Sequence, residues 1–357
     1  VVCVNLGLAT IMDACYWVEY CNYPKGTYYS DLRIKNGHKE PYNIKIWDLG
    51  NEVDGEPWEL GYKNADDYVK TAREAAKAMK SVDKTIQLVA SGSSYYESTG
   101  KWVDWNWKVL TGLGDKIDYI SIHRYWERSP DYYTYMGQSA LDFEEKIKVT
   151  AALIESARAM KRFDHPIYIS VDEWGMIGRD FLSVLPVAQC FNSFIRHADM
   201  VKMANYTLLT SLLSVDREKG NYKTPLFHTF KLFSDNCRGT ALDLHLQCDS
   251  FNTALYKGIP FLDVTAVYNP EAQAVFVNVV NRHKDKAITA DIITDSVILT
   301  EKGEASVLTC ESLQEPFSFE KQKNYIPVTK EVKIDKNKLK FNFPAHSFTQ
   351  IKLNVRK

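Results

Sequence analysis

The sequence lacks the features that mark membrane proteins and nucleic-acid-binding proteins. No run of 18 apolar residues is present, so no transmembrane helix is predicted. Lys and Arg number 44 and Asp and Glu number 45, which gives a net charge of −1. Without a basic excess, neither nucleic acid nor an anionic membrane surface is expected as a partner.

Cysteine is scattered rather than clustered. The seven Cys form no Cys-x-x-Cys pair and no Cys/His group with the spacing of a zinc site. We therefore expect free thiols instead of a disulfide framework, and no metal. Free thiols, together with the lack of a signal peptide, favour a cytoplasmic location.

Two common catalytic motifs are also missing. Gly92 and the pair Gly112 and Gly114 lack the strand–loop–helix frame and the Lys of a phosphate-binding loop. Ser93 and Ser94 lie in no Gly-x-Ser-x-Gly elbow, so a serine hydrolase is not expected. No cofactor is implied by any of these segments.

The first two thirds of the chain alternate between strand and helix patterns. Apolar runs predict strands at 1–7, 44–49, 86–90, 117–122, 167–171 and 200–209, and periodic segments predict helices at 11–21, 64–81, 141–161 and 184–198. Such alternation predicts a parallel sheet of the TIM-barrel type. The polar stretch 22–42 is interpreted as a loop over the barrel mouth, or else as a helix-capping linker.

The pattern changes from Gly239 onward. Short alternating segments follow one another, separated by turns such as Asn-Pro and Lys-Gly-Glu, which is typical of an antiparallel β-sandwich. The predicted fold class is therefore α/β plus all-β: a partial (β/α)8 barrel at 1–238, followed by a C-terminal β-sandwich at 239–357.

Only six barrel-type strands are predicted, whereas a closed barrel of this kind needs eight. Two open edges of a parallel sheet would be an association hazard. We therefore expect either a missing N-terminal piece or a homo-oligomer in which another chain completes the barrel.

Two carboxylates stand at the ends of predicted strands. Glu52 follows the strand 44–49 in Gly-Asn-Glu, and Glu173 follows the strand 167–171 in Asp-Glu-Trp. In a barrel, the carboxyl ends of the strands carry the chemistry. Retaining glycoside hydrolysis needs two such carboxyls, one as acid/base and one as nucleophile.

Neighbouring side chains fit the same chemistry. Asn51 is a neutral donor suited to the sugar hydroxyl beside the anomeric carbon. Trp47 and Trp174 are aromatic neighbours of the two glutamates, suited to sugar contact or to excluding water. His123 and Tyr125 share one face of the strand that begins at 117, either as ligands of the sugar and the nucleophile or as core residues.

A further aromatic group, Trp102, Trp105 and Trp107, has helical spacing and is interpreted as core, with binding subsites as the alternative.

With these residues in hand, the chain resembles glycoside hydrolase family 51, the retaining α-L-arabinofuranosidases. The resemblance covers nearly the whole chain. It rests on residues 4–7 (VNLG), 18–22 (VEYCN), 39–45 (KEPYNIK), 49–55 (LGNEVDG), 119–125 (YISIHRY), 172–174 (DEW), 262–264 (LDV) and 344–348 (PAHSF).

The resemblance implies that Glu52 is the acid/base, Glu173 the nucleophile and Asn51 a sugar ligand, with His123 and Tyr125 in support. Two departures stand out. The first two barrel strands of the family, which bring another sugar-binding Glu and Asn, have no counterpart, and Leu208 stands where the family usually has Gln.

Three functions remain open at this point. The first is removal of α-L-arabinofuranosyl groups from plant cell-wall oligo- or polysaccharide. The second keeps the mechanism but acts on β-linked glucan or xylan. The third is a non-catalytic carbohydrate-binding fragment.

Overall fold

The structure, a computed structural model, describes residues 1–55, 61–94, 101–176, 178–207, 211–295 and 297–356. It contains two compact units. The first comprises Val1–Arg124, Lys146–Trp174 and Asp199–Asn205, and the second comprises Tyr125–Glu145, Gly175–Ala198 and Tyr206–Lys357. The domain boundary expected after residue 238 stays a prediction.

A six-stranded sheet forms the framework of the N-terminal part. Its strands are β1 (Val2–Val4), β2 (Ile46–Leu49), β3 (Gln87–Ala90), β4 (Tyr119–Trp126), β5 (Tyr168–Met176) and β6 (Val201–Tyr206). They lie in sequence order, and the first four pair in parallel. Among the described residues, β1 and β6 are the outer strands of this sheet. The predicted partial barrel of about six strands is thereby confirmed.

Helices connect the strands. They are α1 (Ile11–Asn22), α2 (Tyr28–Lys35), α3 (Ala65–Val82), α4 (Lys101–Leu113), α5 (Tyr132–Gly137), α6 (Phe143–Lys161), α7 (Val184–Arg196) and α8 (Pro225–Asn236). Helix α3 begins where the sequence predicts, because Oδ1 of Asn64 accepts a hydrogen bond from the backbone N–H of Asp67 at 2.9 Å. A π-helical turn, Gln138–Asp142, joins α5 to α6.

The interpretation of residues 22–42 as a loop over the barrel mouth is wrong. The segment contains α2, which a capping box between Thr27 and Ser30 starts. It also joins the end of α1 to the start of β2, since Asn22 hydrogen-bonds both backbone groups of Ile44 at 2.8 Å. Strands of a parallel sheet start on the side opposite the barrel mouth. Buried Arg33 of α2 donates hydrogen bonds to five backbone carbonyls and so holds the segment 22–42 in place.

The C-terminal part is antiparallel. A hairpin of β7 (Leu213–Asp216) and β8 (Gly220–Lys223) precedes α8, and the later strands are β9 (Thr240–Leu242), β10 (Ser250–Phe251), β11 (Ile259–Pro260), β12 (Leu262–Asn269), β13 (Ala274–Asn281), β14 (Ile288–Ile293), β15 (Leu299–Leu308), β16 (Val328–Lys333), β17 (Lys338–Phe343) and β18 (Ser347–Val355). Six form one sheet in the order β16-β15-β18-β13-β12-β9, and β14 pairs with β17. Apolar side chains of both sheets share one core, as the predicted β-sandwich requires.

A buried ionic network belongs to the second unit. Asp263 at the start of β12 lies 2.8 Å from Nη1 of Arg196 on α7 and 3.3 Å from Nη2 of Arg282. Asn192 adds a hydrogen bond to Asp263 at 3.1 Å. Burial opposes the ionised form of Asp263, but the two guanidinium groups outweigh it and lower the pKa of the carboxyl.

All seven cysteines are free thiols, as expected. Within the described ranges, no helix has both the length and the apolar character needed to cross a bilayer.

Candidate active site

A strained turn presents Glu52 at the carboxyl end of β2. Gly50 has φ +91°, and Glu52 itself lies in the left-handed region with φ +48°, which side chains other than glycine rarely adopt. Asp54 fixes the turn from the other side, because its Oδ2 accepts a hydrogen bond from the backbone N–H of Ser94 at 2.7 Å. The orientation of Glu52 is thus held by two neighbouring strand ends.

The structure brings Glu52, Glu173 and His123 together. Nδ1 of His123 lies 2.9 Å from Oε1 of Glu52 and 3.9 Å from Oε2 of Glu173. One ligand atom of each residue lies within 4.8 Å of the other two. Glu52 follows the end of β2, whereas His123 and Glu173 lie in the carboxyl-terminal halves of β4 and β5.

Asp172 holds the other side of the imidazole. Its Oδ1 lies 3.1 Å from Nε2 of His123, an ion-pair distance at which the two groups are not aligned as a regular hydrogen bond. His123 is 3% exposed. Burial opposes its positive charge, but Asp172 and Glu52 outweigh that effect and raise the pKa of His123 to about 10. The two acidic side chains therefore favour a proton on the imidazole of His123.

A deeper acid, Asp48, was not anticipated from the sequence. It lies on β2, directly across from Cys3 of β1 in the sheet register. Burial, followed by the negative charge of Asp172, raises the pKa of Asp48 to about 7. Desolvation of its sulfur and the charge of Asp48 likewise raise the pKa of the Cys3 thiol to about 12, although the residue as a whole is exposed.

Asn51 lies in a small cavity beside these residues. The cavity has a volume of about 200 Å³ and is lined by residues 3–7 together with Asn51 and Val53. Among these lining residues, Asn5 has an Oδ1 that accepts hydrogen bonds from the backbone N–H groups of Gly7 and Leu8, both at 3.0 Å. The predicted sugar ligand Asn51 therefore shares a polar recess with Asn5, which the sequence interpretation missed.

The aromatic candidates are placed differently. Trp47 and Trp174 are both fully buried, and the indole N–H of Trp47 donates to the carbonyl of Ile44 at 3.0 Å. The structure shows both rings packed in the interior. Their contact with sugar stays a prediction. Tyr125 belongs to the second compact unit, where its ring lies beside Gly175. Leu208 lies outside the described residues.

Trp102 and Trp105 are core residues, as favoured from their spacing. Both are buried, and Trp105 stacks on Tyr68 with ring centroids 5.5 Å apart while donating to the carbonyl of Ser91. Tyr68 in turn bridges β2 and β3 through Leu49 and Ser91. This packing fixes the strand ends on which the polar residues stand.

The partial barrel, the C-terminal sandwich and the paired carboxylates define the glycoside hydrolase class of (β/α)-barrel proteins. Two family models match the chain: the α-L-arabinofuranosidase 1 domain at residues 6–137, and the α-L-arabinofuranosidase C-terminal domain at residues 172–347. The chain belongs to glycoside hydrolase family 51, the α-L-arabinofuranosidases.

Individual relatives agree with this assignment. The chain is 35% identical over 311 residues to an intracellular exo-α-(1→5)-L-arabinofuranosidase of Halalkalibacterium halodurans, covering 80% of this chain and 62% of the relative. It is 31% identical to the probable α-L-arabinofuranosidase C of Aspergillus niger, covering 98% and 73%. The solved family 51 α-L-arabinofuranosidase of Thermotoga petrophila matches with a TM-score of 0.86 at 28% identity, covering 98% and 74%. The chain thus spans about three fifths of the length of the bacterial relative.

Proposed function

We propose that this chain is a retaining glycoside hydrolase that removes α-L-arabinofuranosyl residues by double displacement. Glu173 attacks the anomeric carbon while Glu52 gives its proton to the leaving oxygen. The resulting glycosyl ester on Glu173 is then hydrolysed by a water molecule, whose proton returns to Glu52.

The observation that carries this proposal is the closeness of the two glutamates. Their nearest ligand atoms lie within 4.8 Å of each other. Retaining glycosidases hold their two carboxyls about 5–5.5 Å apart, whereas inverting enzymes leave about 6.5–9.5 Å for a water molecule. An oxygen-to-oxygen separation of no more than 4.8 Å brings the two side chains close enough for the retaining arrangement.

His123 has a place in the same scheme. Only one proton lies along the 2.9 Å contact between Nδ1 of His123 and Oε1 of Glu52. When that proton resides on Glu52, the side chain is ready to act as the acid, and when it resides on His123, Glu52 is ready to act as the base. We therefore assign His123 as the residue that positions Glu52 and holds its proton, with Asp172 fixing the ring from the opposite side.

The names of relatives indicate which linkage is cleaved, from which position in the chain, and where the protein works. The relatives from Halalkalibacterium halodurans, Bacillus subtilis and Acetivibrio thermocellus are each named as intracellular exo-α-(1→5)-L-arabinofuranosidases. We infer that this chain likewise acts from the end of α-(1→5)-linked arabino-oligosaccharides and works in the cytoplasm. A homo-oligomer stays part of the proposal.

The test is hydrolysis of 4-nitrophenyl α-L-arabinofuranoside by the chain and by its Glu173→Gln variant. Loss of the covalent step should reduce turnover by several orders of magnitude. The matched control is Glu74→Gln on α3, where an exposed Glu pairs with Lys77 and turnover should not change. Turnover that survives Glu173→Gln would overturn the assignment.

A second variant, Glu52→Ala, separates the two roles. A glycosidase that lacks its acid/base still forms the glycosyl ester from an activated substrate, and added azide then attacks that ester. The product should be arabinofuranosyl azide of retained configuration, identified by NMR. If the native chain does not hydrolyse this substrate but does hydrolyse a β-glucoside or a β-xyloside, the result would favour action on β-linked glucan or xylan. Sugar binding without any turnover would favour a carbohydrate-binding protein.

A further inference from the structure

We propose that Glu52, His123 and Glu173 bind one Zn²⁺ ion when no sugar occupies the site, with release to solvent of the proton that lies between Glu52 and His123 and with Asp172 as the outer partner of the histidine. This binding does not depend on the proposed hydrolysis, because it follows from the donor atoms alone. It would make the ion a competitor of the sugar for the same carboxylates.

The donor set suits zinc. Imidazole nitrogen and carboxylate oxygen are both zinc ligands, and accessible zinc sites have three protein ligands with a fourth position open to water. Zn–N and Zn–O bonds of about 2.0–2.2 Å at tetrahedral angles place ligand atoms about 3.4 Å apart. The contacts from Nδ1 of His123 are 2.9 Å to Glu52 and 3.9 Å to Glu173. Each therefore needs to change by about half an ångström to admit the ion.

The third separation is also within reach. The ligand atoms of Glu52 and Glu173 lie no more than 4.8 Å apart. Both side chains are partly exposed, at 31% and 28%, so a rotamer adjustment can draw their oxygens together. His123 is the fixed ligand, and the two glutamates are the adjustable ones.

The position of Asp172 supports a metal site independently of the distances among the three ligands. Histidines that bind metals usually direct their other ring nitrogen at a carboxylate, which fixes the ring and raises the basicity of the ligating nitrogen. Nε2 of His123 lies 3.1 Å from Oδ1 of Asp172, and this oxygen is buried and has no regular hydrogen bond within the described part of the chain. The carboxylate–histidine–metal arrangement is therefore already built.

The test is isothermal titration calorimetry of the full chain with ZnCl₂ in a non-thiol reductant. We expect one ion per chain, with at least a 100-fold loss of affinity in each of Glu52→Gln and Glu173→Gln. Loss of the outer carboxylate in Asp172→Asn should weaken binding by about 10–100-fold. These isosteric changes remain informative if a His123 variant fails to fold, and circular dichroism checks the fold of each.

Two controls separate this site from others. His165→Gln alters a half-exposed histidine that lies 3.8 Å from a single carboxylate, Asp164, and should leave the affinity unchanged. Cys248→Ser, which alters a free thiol in the C-terminal part, should also leave it unchanged. Binding that Cys248→Ser abolishes, binding equal in the Gln variants and the native chain, or no binding at millimolar Zn²⁺ would each overturn the proposal. If hydrolysis is never observed but the zinc pattern holds, only the proposed function fails.

Discussion

Replacing Asp48 with Asn should stabilise the protein above neutral pH. The carboxyl has its pKa raised from 3.8 to about 7, because it is buried and faces the negative charge of Asp172. Below about pH 4, Asp48 is protonated in both the folded and unfolded chain and costs nothing. Between about pH 4 and pH 7, the unfolded chain releases this proton while the folded chain keeps it, so stability falls as pH rises.

The size of the effect follows from the shift. About three pKa units at 1.36 kcal/mol each give a penalty of about 4 kcal/mol once the pH exceeds the folded-state value. At about pH 5 the penalty is only about 1.7 kcal/mol. Asn carries no charge at either pH. The variant should therefore gain about 2.5 kcal/mol over the native chain between pH 5 and pH 8.

Urea denaturation at the two pH values, followed by tryptophan fluorescence, measures this directly, since the fully buried Trp47 is the neighbour of Asp48. Asp104→Asn is the matched control, because that carboxyl is exposed and its partner Lys108 is charged at both pH values, so the difference should be the same at both. A gain for Asp48→Asn that does not change with pH, or a loss that grows toward pH 8, would refute the reasoning.

Two other substitutions probe packing and buried charge. Gly92→Ala would put a Cβ 1.9 Å from the carbonyl oxygen of Ser121, so the backbone must shift, and we expect a loss of about 1–3 kcal/mol in chemical denaturation; an unchanged midpoint would contradict this. Asp263→Asn would leave Arg196 and Arg282 without their shared carboxylate, and we expect a loss of about 3–5 kcal/mol. A loss below about 1 kcal/mol would mean that water or another acid replaces Asp263.

The carboxyl ends of the strands could be predicted because the local sequence pattern identifies them. An apolar run that ends in Gly-Asn-Glu or Asp-Glu-Trp identifies both the strand and its carboxyl end, and parallel strands bring those ends to one edge. The proximity of Glu52, Glu173 and His123 could therefore be predicted from the sequence, while their roles stay a prediction. The strands β4 and β5 run further than expected, and His123 and Glu173 lie within them.

Other elements gave weaker local signals. Helix α2 is short and largely polar, so its only sign in the sequence is the capping pair Thr27 and Ser30. The pairing of Cys3 with Asp48 depends on the register between β1 and β2, which no local pattern specifies. The buried acid beneath the site was missed for this reason.

The site balances its charges in two different ways. His123 contacts Glu52 and Asp172 and lies 3.9 Å from Glu173, so one imidazole is shared among three acidic side chains. For Asp48, burial outweighs the charge of His123, and its Oδ1 has no hydrogen bond among the described residues. A buried carboxyl in that position lowers its energy by keeping a proton, which the raised pKa of about 7 expresses. Because a second negative charge below Asp172 would compete for His123, a protonated Asp48 leaves the imidazolium to the carboxylates at the strand ends, where the proposed chemistry needs it.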